Sequence, residues 1–123
     1  MIPFVDLKAQ FRAIEDDVRR RIDAVLEHQR FIMGPEVGEL EVALAARAGC
    51  QHVVGLSSGT DALLVALMAA EIGPGDAVFL PAFTFTATPE AVLMTGATPV
   101  FVDVDPRTFN ITAATLESGI KQV

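Results

Sequence analysis

Leu7, Phe11, Ile14, Val18, Ile22, Val25 and Leu26 recur at spacings of three and four. That period predicts a helix over residues 7–30 with one apolar stripe. Asp6 stands where a helix cap is needed, and Glu15, Asp16, Arg19, Arg20 and Asp23 form a solvated opposite face. Gln29 to Pro35 interrupts the pattern. Pro35 suits the first position of a second helix, which carries Val37, Leu40, Leu44 and Ala45 on one face and stops at Gly49. Two helices thus precede any strand, an arrangement suited to packing on another part of a larger protein or on another subunit.

From Gln51 the pattern changes to short apolar runs alternating with helical stretches. Residues 53–56 read as a buried strand leading into a helix over about 60–72. Gly73-Pro74-Gly75-Asp76 is a turn. Residues 77–80 form the next strand, 81–86 a loop, and 87–95 a helix ended by Gly96. Residues 99–104 form a third strand, Asp105-Pro106 turns the chain, and Thr112 caps a helix reaching about Ile120. This alternation predicts an α/β fold with a parallel-rich sheet and flanking helices. Three parallel strands make an incomplete sheet, so the chain reads as the first part of something larger. The division expected is a helical segment at 1–50 and the first βαβ units at 51–123.

Composition narrows the classes. With 123 residues, half of them hydrophobic, the chain is long enough for one cored domain and too apolar for disorder. Its net charge of −7 argues against a nucleic-acid partner, which asks for a basic face. No apolar run is long enough to span a bilayer, and the first residues do not resemble a signal peptide. Cys50 is the only cysteine, so no intrachain disulfide forms and a reducing cytoplasm is the expected setting.

The candidate chemistry centres on Ser57-Ser58-Gly59-Thr60-Asp61. It lies where a strand ends and a helix begins. A helix start presents unpartnered N–H groups and a partial positive charge. Gly59 lacks a Cβ, so an anion can approach the backbone, and the Thr60 hydroxyl adds a donor. These features make a phosphate seat. The plainer alternative is an ordinary Ser or Thr cap. The loop Pro81-Ala82-Phe83-Thr84-Phe85-Thr86 follows the next strand, at the edge where parallel sheets bind ligands. Phe83 is expected to fill the core under this loop. For Phe85, stacking on a flat ring and packing in the core both stand. Asp103 and Asp105 read as a strand end and an Asp-Pro turn rather than an acid–base pair.

Other sites fit poorly. A dinucleotide site needs more glycines and an acid about 20 residues after the turn, where Phe79-Leu80-Pro81 stand. No Gly-Lys-Ser/Thr of a P-loop is present. His28 and His52 stand alone, and no metal site is expected. His28 reads as a helix-end residue favoured by the dipole, and His52 as a strand-edge residue.

Taken in order, several segments are familiar: Gly34-Pro35-Glu36-Val37, Ser58-Gly59-Thr60-Asp61-Ala62-Leu63, Gly73-Pro74-Gly75-Asp76, Pro81-Ala82-Phe83-Thr84-Phe85, and Gly96 through Asp105. With Pro3-Phe4-Val5-Asp6-Leu7 at the start, they resemble the N-terminal third of the DegT/DnrJ/EryC1/StrS family of nucleotide-sugar aminotransferases. The resemblance implies the large domain of a fold-type I enzyme dependent on pyridoxal 5'-phosphate (PLP). It implies a homodimer that moves an amino group, commonly from glutamate, onto a nucleotide-linked keto-sugar. By position, the backbone of Gly59, Thr60 and Asp61 would hold the PLP phosphate, and Phe85 would stack on its ring. Gln29, Phe31 and Gly34 would lie in a loop that holds the sugar nucleotide.

PLP chemistry also needs a lysine to hold the cofactor. Lys8 and Lys121 are the only lysines, and neither matches the family's catalytic position. The expectation is therefore half a cofactor pocket with no catalytic residue of its own, on a chain that does not transaminate alone. Two alternatives remain: a dehydratase of the same family, with histidine in place of the lysine, and a non-catalytic fragment that dimerises or binds a partner.

Overall fold

A computed structural model describes residues 4–121. The chain divides into two compact units, one running to Gly55 and the other starting at Leu56.

The first unit is built on two helices, α1 (Leu7–His28) and α2 (Pro35–Ala48). Asp6 Oδ1 accepts the Ala9 N–H at 2.9 Å, so the cap forms where the sequence places it. The helix stops two residues earlier than its apolar period suggests. Gln29 turns left-handed (φ 55°), and its N–H closes onto the Val25 carbonyl at 2.9 Å. Pro35 opens α2, and Gly49 ends it in the left-handed region (φ 68°) that glycine enters without steric cost. The Arg21–Glu39 pair, at 3.3 Å, joins the two helices at the surface, where such a pair contributes at most about 1 kcal/mol. No residue of α1 is buried: Ile14, Ile22 and Leu26 on its stripe are each at least half exposed.

The expected strand at 53–56 is not a strand. Among the described residues it has no ladder partner. Its Gly55 N–H donates instead to Glu41 Oε1 of α2 at 2.7 Å. An apolar run can favour an extended backbone, but a strand exists only through pairing.

The second unit contains α3 (Gly59–Ala69), β1 (Ala77–Pro81), α4 (Ala87–Thr95), β2 (Thr98–Val102) and α5 (Ala113–Ile120). The two strands pair in parallel, with Ala77 opposite Thr98 and Pro81 opposite Val102. Backbone bonds from Thr98 N–H to Asp76 O (2.9 Å) and from Ala82 N–H to Val102 O (2.8 Å) brace the two ends. Among the described residues the sheet is thus two-stranded, not three-stranded, and β2 stops at Val102, short of the expected residue 104. Helices α3 and α4 pack together, and α5 lies on β2. The core is small: Leu80, Ala87, Ala91, Val92, Ala97 and Val102 are buried, with Leu67, Ile72 and Val78 against them.

Close approach in the second unit depends on a glycine of α5. A Cβ on Gly119 of α5 would stand 2.8 Å from a methyl of buried Val102, so only a residue without a side chain lets the helix sit this near the strand. Gly96 ends α4 at φ 83°. At the start of α5, Thr112 and Thr115 exchange side-chain and backbone bonds in a capping box. Asp105 Oδ1 accepts the N–H groups of Arg107 and Thr108 at 2.9 and 3.0 Å. Those bonds, Arg107 first, hold its carboxyl below the usual aspartate range. Asp105 therefore organises a turn, as its sequence context suggests.

Candidate functional site

The start of α3 supplies the first group of predicted residues. Ser58 is extended (φ −155°, ψ 166°), and its Oγ accepts the Asp61 N–H at 3.1 Å. Its carbonyl accepts the Ala62 N–H at 3.1 Å. Ser57 Oγ donates to the Asp61 carboxylate. The consequence is specific. Two of the helix's first N–H groups, those of Gly59 and Thr60, meet no acceptor among the described residues. The Asp61 N–H, expected as a third donor, is already taken by Ser58.

Space accompanies the donors. A Cβ on Gly59 would meet no atom within 4 Å. The residue before the helix is a serine, and Thr60 is half-buried at the turn. Open backbone N–H groups, a helix N-terminus and a missing side chain suit the phosphate of PLP. The Asp61 carboxylate is the one group there that disfavours an anion, and its bond from Ser57 gives that charge a partner.

Phe85 lies in the same unit, in the connection between β1 and α4. It is 77% exposed, so it does not belong to the core. Behind it the chain is fixed: Phe85 O accepts the Thr88 N–H at 3.1 Å, and the hydroxyls of Thr84 and Thr88 bond at 2.9 Å. Phe83 departs from expectation. It is 68% exposed and rests on Phe109, with ring centroids 5.5 Å apart. Leu80 and Ala87 occupy the buried places before and after the loop, and the Phe83 ring stays outside.

Gln29, Phe31 and Gly34 belong to the other unit, in the connection between α1 and α2. Phe31 lines a cleft of about 640 Å³ between these helices, with Ile22, Leu26 and Leu40 among its walls. Gly34 is buried, and a Cβ there would stand 2.5 Å from the Arg30 carbonyl oxygen. The glycine is thus dictated by backbone contact within the connection itself.

The sequence reading missed one arrangement. His28 Nδ1 accepts the Arg30 N–H at 3.0 Å, so the ring proton sits on Nε2, which donates to Glu36 Oε1 at 2.9 Å. That bond is the main reason the Glu36 carboxyl lies below the usual glutamate range. A dipole argument places a histidine at a helix end. It does not point to an acid eight residues on, across a Gly-Pro break. His52 is exposed in the unpaired 51–58 segment, where its carbonyl accepts from Cys50 Sγ at 3.4 Å. Among the described residues, no cluster of three or more His, Cys, Asp or Glu could hold a metal, and no helix is long and apolar enough to cross a membrane.

Comparisons with known proteins bear on the family of the chain. The profile of the DegT/DnrJ/EryC1/StrS aminotransferase family matches residues 12–123. A relative from Acidithiobacillus ferrooxidans, UDP-N-acetyl-3-dehydro-alpha-D-glucosamine 3-aminotransferase, is 51% identical over 119 residues, covering 97% of this chain and 32% of that protein. The chain thus spans about a third of the length of such relatives. A DegT/DnrJ/EryC1/StrS aminotransferase structure from Brucella abortus superposes with a TM-score of 0.89 at 46% identity, over 99% of this chain and 34% of that one. NtdA from Bacillus subtilis, solved with bound PMP, gives a TM-score of 0.86 at 34% identity, over 96% of this chain and 27% of that one.

Proposed function

The chain belongs to the DegT/DnrJ/EryC1/StrS aminotransferase family, and from that premise we propose that it forms the phosphate-holding and ring-stacking part of a PLP-dependent nucleotide-sugar aminotransferase. The observation that carries this reading is the pair of open N–H groups at Gly59 and Thr60, with free space where a side chain would stand. They would bind the cofactor phosphate, and the Thr60 hydroxyl would add a donor. Asp61 contributes by fixing Ser57, while its own N–H stays with Ser58. Phe85 would cover one face of the pyridine ring and keep water from it. When bound, PLP supplies the electron sink for amino transfer.

Gln29 and Phe31 would touch the nucleotide sugar, and Gly34 would shape the turn that presents them. The substrate class is a UDP-linked 3-keto sugar, by analogy with the Acidithiobacillus relative, and glutamate is the amino donor, by analogy with a 3-oxo-glucose-6-phosphate:glutamate aminotransferase from Bacillus subtilis. The protein would work as a cytoplasmic homodimer, with no nucleic-acid or membrane partner. Its apolar faces favour such cover: Ile22, Leu26, Leu93 and Met94 are each more than half exposed. The covalent lysine would not come from this chain's two: Lys8 lies on α1, and Lys121 pairs with Glu117 at 2.7 Å.

The test is amino transfer by the gene product that contains this chain. With PLP, glutamate and a UDP-linked 3-keto-N-acetylglucosamine, it is expected to yield the 3-amino sugar and 2-oxoglutarate by mass spectrometry. Loss of water from the sugar with no nitrogen gained would contradict the aminotransferase reading.

A further inference from the structure

The connection between α1 and α2 is more tightly specified than a six-residue loop requires. Gln29 and Met33 are both left-handed, at φ 55° and 49°, without being glycine. Each such residue is strained and persists only where its surroundings impose it. Between them the Arg30 carbonyl presses against Gly34 so closely that no Cβ fits. One side chain reaches both edges of this loop. His28, the last residue of α1, accepts the Arg30 N–H on Nδ1 and donates from Nε2 to Glu36 in the first turn of α2. Glu36 Oε2 in turn comes within 2.9 Å of the Cβ position on Gly34. Both His28 and Glu36 have about a third of their side-chain surface exposed, so the bond is partly shielded from water.

We infer that His28 and Glu36 form a latch that fixes the 29–34 connection in its strained shape, making His28 a positioning residue for nucleotide-sugar binding. The inference rests on the proposed role of this loop. A single imidazole does this because its two nitrogens face opposite ways: one satisfies the loop backbone, the other ties the loop to the next helix. Neither nitrogen is left for the substrate, so His28 acts through Gln29 and Phe31.

The test uses the gene product that contains this chain, with His28→Ala, Glu36→Ala and Glu36→Gln variants. Amide hydrogen exchange is followed at Arg30 and along α1 and α2, and UDP-N-acetylglucosamine is titrated by calorimetry. His28→Ala is expected to speed exchange at Arg30 about tenfold and weaken UDP-N-acetylglucosamine about tenfold, the scale of one lost hydrogen bond. Glu36→Ala should follow it. Glu36→Gln keeps a carbonyl acceptor for Nε2–H and should remain near wild type in both. Unchanged exchange at Arg30, or faster exchange spread along both helices, would overturn the latch. Unchanged affinity in His28→Ala would overturn its positioning role. A wild type that takes no UDP-N-acetylglucosamine would overturn the nucleotide-sugar reading of the loop, while the exchange comparison still decides the latch.

Discussion

Replacing Gly59 with proline is expected to weaken PLP binding about ten- to a hundredfold and leave the apoprotein's melting temperature nearly unchanged. Gly59 is the first residue of α3, where proline is tolerated because that N–H has no intrahelical partner. Ser58 before it is already extended, as a residue preceding proline must be. No atom lies within 4 Å of the Cβ position, so that carbon of the ring meets nothing in the free protein. What is lost is one of the two open donors. A hydrogen bond to a charged group contributes about 1.5–3 kcal/mol, which is one to two powers of ten in affinity. Gly59→Ala keeps the N–H and should lose less. Absorbance titration of the apoprotein with PLP, beside thermal melts, checks both. Equal PLP affinity in Gly59→Pro and wild type would place the phosphate elsewhere.

Gly34→Ala is expected to cost about 2–3 kcal/mol of stability, at the upper end for a misfitting core group. The backbone angle is not the reason, since φ is −64° and alanine adopts that freely. The reason is contact: a Cβ 2.5 Å from the Arg30 carbonyl and 2.9 Å from Glu36 Oε2. The Glu36 oxygen can swing aside, but only at the expense of its bond to His28. The carbonyl belongs to the backbone and moves only if the connection reshapes. Urea denaturation of the variant beside wild type measures the loss, and coincident curves would mean that the connection yields freely.

Much of the local structure was legible because its causes are local. Asp6, Pro35, Gly49, Gly96 and Thr112 begin or end their helices as the sequence predicts, each by chemistry within four residues of itself. The helix start at Gly59 was legible for the same reason. What the sequence does not reveal is which N–H groups stay open there. That depends on the Ser58 side chain, whose oxygen takes the Asp61 N–H and leaves Gly59 and Thr60. Pairing over distance is harder to read. Residues 53–56 have the composition of a buried strand, yet Gly55 bonds to a glutamate on α2. Phe83 has the character of a core residue and instead lies against Phe109, whose own backbone is left-handed. The His28–Glu36 bond joins residues on two helices, and no periodicity marks it.

In the proposed function this chain holds the phosphate of PLP while the covalent lysine lies elsewhere. Borohydride reduction of the PLP-loaded gene product, followed by peptide mass mapping, tests it most directly. One reduced PLP adduct is expected, on a lysine outside residues 1–123, and its loss when Gly59→Pro is assayed at limiting PLP. A specific adduct on Lys8 or Lys121, or none on the wild type at saturating PLP, would contradict it.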